Sequence, residues 1–158
     1  MHRRKVILNL AVSLDGFIEG PGGEFDWCLG DQDYGMKAFM KSIDSIFMGR
    51  KSYEVAFKHE GKNPYAKITT YVFSNTLKEA VKGTRTVNGN LLAEVRRITG
   101  EKGKNIWLFG GANLVTGFLN EGLIDEMQLA VHPIILGSCK PLLQGIKGRI
   151  PFKLKKTK

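Results

Sequence analysis

Short apolar runs alternate with longer amphipathic segments along the chain, which is the pattern of a sheet whose strands are joined by helices. Apolar runs rich in β-branched and aromatic residues predict strands at 6–12, 46–48, 68–75 and 105–109, and a further short strand is predicted within 79–87, with a turn at Gly83. Apolar residues at helical spacing predict helices at 32–43, 51–58, 91–99 and 113–121. A long extended run at 124–136 is interrupted by Pro133. The alternation predicts an α/β fold with a central, mainly parallel sheet that is covered on both faces.

The glycine-rich segment SLDGFIEGPGGEFDW, residues 13–27, breaks this alternation. It is too irregular for a helix, and a long loop beside a first strand is usually functional or disordered. Apolar side chains are spread through it, among them Ile18 and Trp27. We therefore expect a loop that packs over part of the fold.

Length and composition indicate a single domain, 1–158, because 158 residues suffice for one full core. Hydrophobic residues make up 42% of the chain, and no apolar run is long enough to span a membrane. Two cysteines give no disulfide framework, so a reducing cytoplasm is the expected location. The three histidines lie far apart without metal-ligand spacing, and no metal site is predicted.

The net charge of +9 favours acidic partners, either nucleic acid or phosphorylated small molecules. Part of the charge lies in the tail KLKKTK, which is more simply a solvated end. The other cations are spread along the chain, with no basic helix and no interleaved aromatic platform. This distribution makes nucleic acid the weaker of the two interpretations.

Three predicted strands end in residues that suit an anionic ligand, and the carboxyl ends of strands are where open α/β sheets bind ligands. The segments are MGRKS, FSN and FGGAN, which offer Gly49, Arg50, Lys51, Ser52, Ser74, Asn75, Gly110, Gly111, Ala112 and Asn113. Lys and Arg normally stand at the other end of a helix. Two cations at a helix start, where free N–H groups already attract anions, therefore indicate a bound phosphate.

Each segment also has a simpler interpretation. Arg50 and Lys51 can point into water, Gly110-Gly111 can serve turn geometry alone, and Ser74-Asn75 can form a cap or turn. No G-x-G-x-x-G follows the first strand and there is no Walker lysine motif. An ordinary Rossmann domain or P-loop NTPase is thus disfavoured.

Taken in order, four segments resemble the dihydrofolate reductase superfamily: LNLAVSLDGFIEG, IFMGRKSYE, YVFSNTL and the stretch from IWLFGGANLVTG to HPIILGSCKPLL. They are most similar to the reductase domain of the bifunctional riboflavin-biosynthesis deaminase–reductase and its stand-alone relatives. The resemblance covers residues 6–143. It implies a dihydrofolate-reductase-like three-layer α/β/α fold. Members usually continue past a segment like PFKLKKTK with a final strand or hairpin.

The resemblance implies an NADPH-dependent reductase of a small heterocycle in riboflavin biosynthesis. The substrate it implies is 5-amino-6-(5-phosphoribosylamino)uracil or a related pyrimidine or pterin. It also implies a homodimer without membrane contact. Dihydrofolate reductase proper is the alternative within the enzyme class. A non-catalytic nucleotide- or nucleic-acid-binding module is the alternative outside it.

Matched by motif, Arg50 would bind the 2′-phosphate of NADPH, with Gly49, Lys51 and Ser52 close by. Ser74 and Asn75 would lie beside the adenosine half. The pyrophosphate would be bound by backbone groups of Gly110, Gly111, Ala112, Asn113 and Leu114. Ala11 would border the nicotinamide.

On the substrate side, the resemblance implies contacts from Asp15, Ile18 and Ser138, with Lys140 as a further candidate. Counting back from MGR places Asp33 at the carboxylate with which folate reductases bind the pterin. An Asp before a helix is more commonly a cap, so both roles stay open for Asp33.

Overall fold

The computed structural model describes residues 2–57 and 63–158. In chain order its elements are β1 Val6–Ser13, β2 Phe17–Glu19, α1 Met36–Ser42, β3 Ile43–Gly49, α2 Arg50–Phe57, β4 Thr69–Phe73, β5 Thr84–Val87, α3 Leu91–Gly100, β6 Asn105–Gly110, α4 Ala112–Asn120, β7 Glu126–His132 and β8 Lys140–Pro141. Six strands form one sheet in the order β5-β4-β3-β6-β1-β7, and its pairs run parallel. The predicted α/β fold with a mainly parallel sheet is confirmed.

Each face of the sheet carries its own core, because successive strand side chains point to opposite faces. On one face Phe47 and Phe118 pack with side chains of α3 and α4. On the other face Trp107 packs against Phe39 of α1 and against Tyr65. The helices thus form two outer layers around the sheet.

The predicted helix at 32–43 is wrong at both ends. Tyr34 and Gly35 have positive φ angles of 49° and 84°, so α1 begins only at Met36. Ile43 leaves the helix in an extended conformation and becomes the first residue of β3, where its side chain is buried. The predicted strand at 46–48 is correspondingly longer.

Other boundaries shift by smaller amounts. The short strand predicted within 79–87 is confirmed at Thr84–Val87, after the predicted turn at Gly83, whose φ is 88°. The long run 124–136 ends as a strand at His132, before Pro133. Residue 58 of the predicted helix 51–58 lies outside the described residues. The two-stranded sheet of β2 and β8 was not predicted.

The neighbouring strands β1 and β6 pair only at their amino ends. β1 and β6 are in register from Val6 with Ile106 to Leu8 with Leu108, whereas β1 stays paired with β7 as far as Ser13 with His132. β6 itself continues to Gly110. The ladder between β1 and β6 therefore ends two residues before β6 does, and we call the space between their unpaired carboxyl ends the crevice.

Arg4 joins three segments at the amino edge of the sheet. Its side chain is buried and donates to the carboxylate of Asp44, to Ser45 Oγ at 2.7 Å and to the carbonyl oxygen of Lys104 at 2.7 Å. The Asp44 carboxylate in turn accepts the Lys104 N–H at 2.8 Å. Arg4 thus holds the starts of β1, β3 and β6 together.

We predict that Arg4→Met lowers the free energy of unfolding by about 1.5–3 kcal/mol, the range for hydrogen bonds to charged groups. Methionine retains an apolar stem but removes the donors that bind Asp44, Ser45 Oγ and the Lys104 carbonyl oxygen. Urea denaturation measures the loss. Arg3→Met is the control, because Arg3 forms an exposed pair with Asp125 that is worth at most about 1 kcal/mol. Equal losses for the two variants would contradict this role of Arg4.

Candidate functional site

The turns that follow β3 and β6 lie in contact at the carboxyl edge of the sheet. The two strands are neighbours, each ends in glycine, and a helix begins within two residues of each. A Cβ placed on Gly111 would lie 3.3 Å from Ser52 Oγ and 4.0 Å from Gly49 Cα. A Cβ on Gly49 would lie 3.8 Å from Leu114 Cβ and 3.9 Å from the Gly110 carbonyl oxygen. A Cβ on Gly49 would thus make ordinary contacts, whereas one on Gly111 would crowd Ser52, so the missing side chain of Gly111 permits the close approach.

The second of these turns directs backbone donors outward. Gly110 and Gly111 have φ angles of 134° and 101°, which favour glycine. Gly111 caps α4, and its carbonyl oxygen accepts the Val115 N–H at 3.0 Å. The N–H groups of the first turn, from Ala112 to Leu114, have no acceptor within the helix. This turn therefore has the geometry of an anion site.

Arg50 adds a full positive charge beside this turn. It is the first residue of α2, its side chain is 46% exposed, and its Nε lies 3.9 Å from Glu54 Oε1. An exposed pair at this distance contributes little. Ser52 is half-buried and faces Gly111, whereas Lys51 is exposed. The residues of MGRKS and FGGAN are thus brought together as the sequence suggested.

Ser74 and Asn75 follow β4, the neighbour of β3 on the side away from β6. Ser74 Oγ accepts the N–H groups of Thr76 at 3.1 Å and Leu77 at 3.0 Å, so its contacts are those of a turn. Asn75 is exposed beside it. Both residues thus lie at the same carboxyl edge of the sheet, one strand further from β6 than Arg50.

Asp15 connects the loop after β1 with the turn after β7. Its carboxylate accepts the Ser13 hydroxyl at 2.7 Å and the N–H groups of Leu136 at 3.1 Å and Gly137 at 2.8 Å. These bonds, that of Ser13 foremost, lower the pKa of Asp15 below its usual value. Asp15 therefore orients the turn that presents the exposed Ser138.

The other predicted substrate-side residues have different surroundings. Ile18 lies in β2 and packs against the core on the α3 and α4 face. Lys140 Nζ lies 2.8 Å from Glu19 Oε1 across the small sheet. Asp33 is exposed, and its Oδ1 accepts the Lys37 N–H at 3.0 Å in the first turn of α1. This contact is the capping alternative that the sequence left open.

Ala11 lies on β1 beyond the point where β1 and β6 separate, so it borders the crevice. Residues that the sequence interpretation missed lie near it. Trp107 Nε1 donates to the Asn9 carbonyl oxygen at 2.9 Å, and Asn9 Nδ2 donates to Gln128 Oε1 at 3.1 Å. The signal that marks them is a polar residue, Asn9, inside the apolar run VILNLAV.

A second missed contact lies at the carboxyl end of β7. Trp27, on the long loop, packs edge-on against His132 with ring centroids 5.5 Å apart. His132 is buried at the end of β7, and its Nδ1 lies 2.9 Å from the Ala130 carbonyl oxygen. The loop thus covers part of the fold, as its apolar residues suggest.

Within residues 2–57 and 63–158, no three His, Cys, Asp or Glu side chains come together as a ligand set for a metal ion. In the same part of the chain, the structure contains no helix with the length and apolar character needed to cross a membrane.

Comparison with known proteins identifies relatives along the full domain. The uncharacterised protein YyaP of Bacillus subtilis (strain 168) is 42% identical over 170 residues, which span 100% of this chain and 90% of that protein. A putative riboflavin biosynthesis protein from Shewanella sp. PV-4 superposes with a TM-score of 0.82 at 29% identity, over 94% of this chain and 88% of that one.

The fold is also that of a dihydrofolate reductase. The enzyme from Enterococcus faecalis, in a complex with NADP(H), superposes with a TM-score of 0.66 at 15% identity, over 89% of this chain and 77% of that one. The RibD C-terminal domain family matches residues 4–158. These matches confirm the resemblance seen in the sequence, and the chain belongs to the RibD C-terminal domain family of reductases.

Proposed function

We propose that the protein is a cytoplasmic NADPH-dependent reductase of a small heterocycle. The substrate we propose is 5-amino-6-(5-phosphoribosylamino)uracil or a related pyrimidine or pterin. The observation that carries the proposal is the contact between the β3–α2 and β6–α4 turns at the crevice. There, glycines let the protein backbone approach a ligand closely, two helices begin, and Arg50 supplies a guanidinium.

The residues at the two turns fit this cofactor. We call the space around Gly111 the cradle, and a Cβ at this residue would fill it. The first N–H groups of α4 beside it suit a pyrophosphate. The Arg50 guanidinium suits the 2′-phosphate, because its planar donors bind a phosphate bidentately. NADPH supplies a hydride when bound. The chain itself contributes binding and orientation, with Ala11 at the border of the crevice.

The residues on the proposed substrate side are held in place by contacts of their own. Asp15 holds the turn of Ser138 against the loop after β1. Lys140 lies in the adjoining strand β8, where Glu19 pairs with it. The phosphate of a ribosyl phosphate substrate requires a second cation besides Arg50, and Lys140 is the candidate among these residues. The acid role of Asp33 stays a prediction.

We further propose that two copies pair along β7. This strand is at the edge of the sheet, and its side chains Leu129 and Val131 are 40% and 58% exposed. Edge strands with exposed apolar side chains are ready to associate.

We predict that NADPH raises the melting temperature of the protein and that NADH does so less. Arg50→Ala is expected to weaken NADPH binding by about 1.5–3 kcal/mol and NADH binding little, because only NADPH carries the 2′-phosphate. Isothermal titration calorimetry measures both affinities. Arg96→Ala is the control for lost charge, since Arg96 is exposed on α3, which leads to the opposite end of β6. Equal losses for both nucleotides would exclude this role of Arg50, and no binding of either would exclude the proposed function.

A second prediction concerns the cradle. Gly111→Ala places a Cβ 3.3 Å from Ser52 Oγ and forces alanine into a φ of 101°, so NADPH and NADH should lose affinity equally. Titration of the two nucleotides separates this loss from that of Arg50→Ala. Gly89→Ala controls for backbone strain, because Gly89 has a φ of 112° and its Cβ would meet nothing within 4 Å. If Gly89→Ala weakened the nucleotides as much, the cradle would not be their site.

A third prediction tests the assembly. Light scattering during gel filtration should give twice the mass of one chain, and Val131→Glu should give the mass of a monomer, because a buried charge opposes association. Val55→Glu is the matched control, since Val55 is also exposed but lies on α2. A monomeric unmodified protein would contradict the pairing.

A further inference from the structure

A strip of side chains on one face of β1 and β7 lies beyond the helices that cover that face. Asn9 is opposite Gln128 and Ala11 is opposite Ala130, and we call these four residues the amide strip. Ile7, two residues before Asn9, packs into the core with α1 and α2, so the strip continues that face. The two helices lie over β3 and β4 instead. Gln128 and Ala130 are exposed, and Asn9 and Ala11 are half-buried.

Of the two side-chain amides of the strip, one NH2 group and one oxygen atom make no hydrogen bond to the described part of the chain. Asn9 Nδ2 donates to Gln128 Oε1 at 3.1 Å, so Asn9 Oδ1 and Gln128 Nε2 are left without a partner among the described residues. If both amides were rotated, Asn9 would offer the donor and Gln128 the acceptor. In either orientation the pair presents an acceptor beside a donor, which is the complement of an adjacent ring N–H and C=O.

The surroundings of the pair suit a flat ring. Ala11 and Ala130 project no further than a methyl group and provide a level floor. Trp107 flanks the pair through its bond to the Asn9 carbonyl oxygen. Trp27 closes the other end against His132, and its Nε1 is buried without a partner among the described residues.

The strip is also electrically neutral. The carboxylate nearest along β7 is that of Glu126, two residues before Gln128, and it binds Lys5 Nζ at 2.7 Å and Lys155 Nζ at 3.1 Å. These bonds, that of Lys5 foremost, hold the pKa of Glu126 below its usual value. No free carboxylate among the described strip residues is available to a protonated ring, so a neutral ring is favoured.

We propose that Asn9 and Gln128 determine substrate specificity by recognising the N–H and C=O of a neutral lactam or cyclic ureide ring. This inference rests on the proposed function, since it takes the ring to be the substrate of the reductase. The competing ring chemistry is an amidine edge, in which an amino group replaces the C=O. When it is protonated, such an edge presents two donors and is bound by a carboxylate, whereas the strip offers one donor and one acceptor.

The test compares 5,6-diaminouracil, which carries the lactam edge, with 2,4,5,6-tetraaminopyrimidine, which carries the amidine edge on a similar ring. Calorimetry with and without NADPH gives the affinity for each. In a buffer acidic enough to protonate the tetraamine, the unmodified protein should bind the uracil at least about tenfold more tightly, because the protonated edge offers a second donor where the strip needs an acceptor. Gln128→Glu turns the donor into a carboxylate and should reverse the preference.

Gln144→Glu is the matched control, because Gln144 is exposed and its carbonyl oxygen bonds to Thr116 of α4. This variant should keep the preference of the unmodified protein. Trp27 and Trp107 are the only tryptophans of the chain and both border the strip, so a change in their emission shows that the ring binds there. The melting temperature confirms that each variant is folded.

Equal affinities for the two rings, or an unchanged preference in Gln128→Glu, would overturn the inference. The NADPH titration on the same samples keeps this result separate from the proposed function. If NADPH binds and the rings are not distinguished, the inference fails and the reductase proposal stands. If NADPH does not bind and the preference still follows residue 128, the reductase proposal fails and the recognition by the strip stands.

Discussion

The close approach of the β3–α2 and β6–α4 turns is the constraint on which the carboxyl edge of the sheet depends. Gly111 lacks the Cβ atom that would crowd Ser52 of the other turn. The approach sets two helix N-termini side by side, and their partial positive charges repel each other. Arg50 adds a full charge at the same place. A bound phosphate removes this repulsion, which gives a physical reason for a cation on the first turn of α2.

The stabilising contacts and the proposed binding site are located at opposite ends of the same strands. At the amino edge, β1 and β6 are paired over three residues, and the buried Arg4 ties them to β3. Beyond Leu8 that pairing ends, and the crevice between β1 and β6 opens. Asp15 then holds the loop and the turn beside the crevice. The ordered amino edge therefore allows the carboxyl halves to separate without loss of the sheet.

The parts of the site that the sequence predicted are those encoded in short segments. MGRKS and FGGAN each combine a strand end, glycine and a helix start, so their local conformation and their meeting at one sheet edge follow from an α/β alternation. The amide strip depends on β1 pairing with β7 across 119 residues, and no local pattern specifies that register. The start of α1 was missed because the positive φ of Tyr34 interrupts a helical pattern that residue types alone support.

The sheet is charged at the carboxyl ends of β3 and β6 and neutral at the strip on β1 and β7, and this asymmetry would orient a ligand that reaches both. Phosphates are attracted to Arg50 and the helix starts, whereas a flat neutral ring loses nothing by lying on the alanines of the strip. A free carboxylate near the strip would instead attract a protonated ring. Glu126 is the nearest along β7, and Lys5 and Lys155 neutralise it. By cancelling the charge of Glu126, these lysines favour a neutral ring over a protonated one, although neither belongs to the strip.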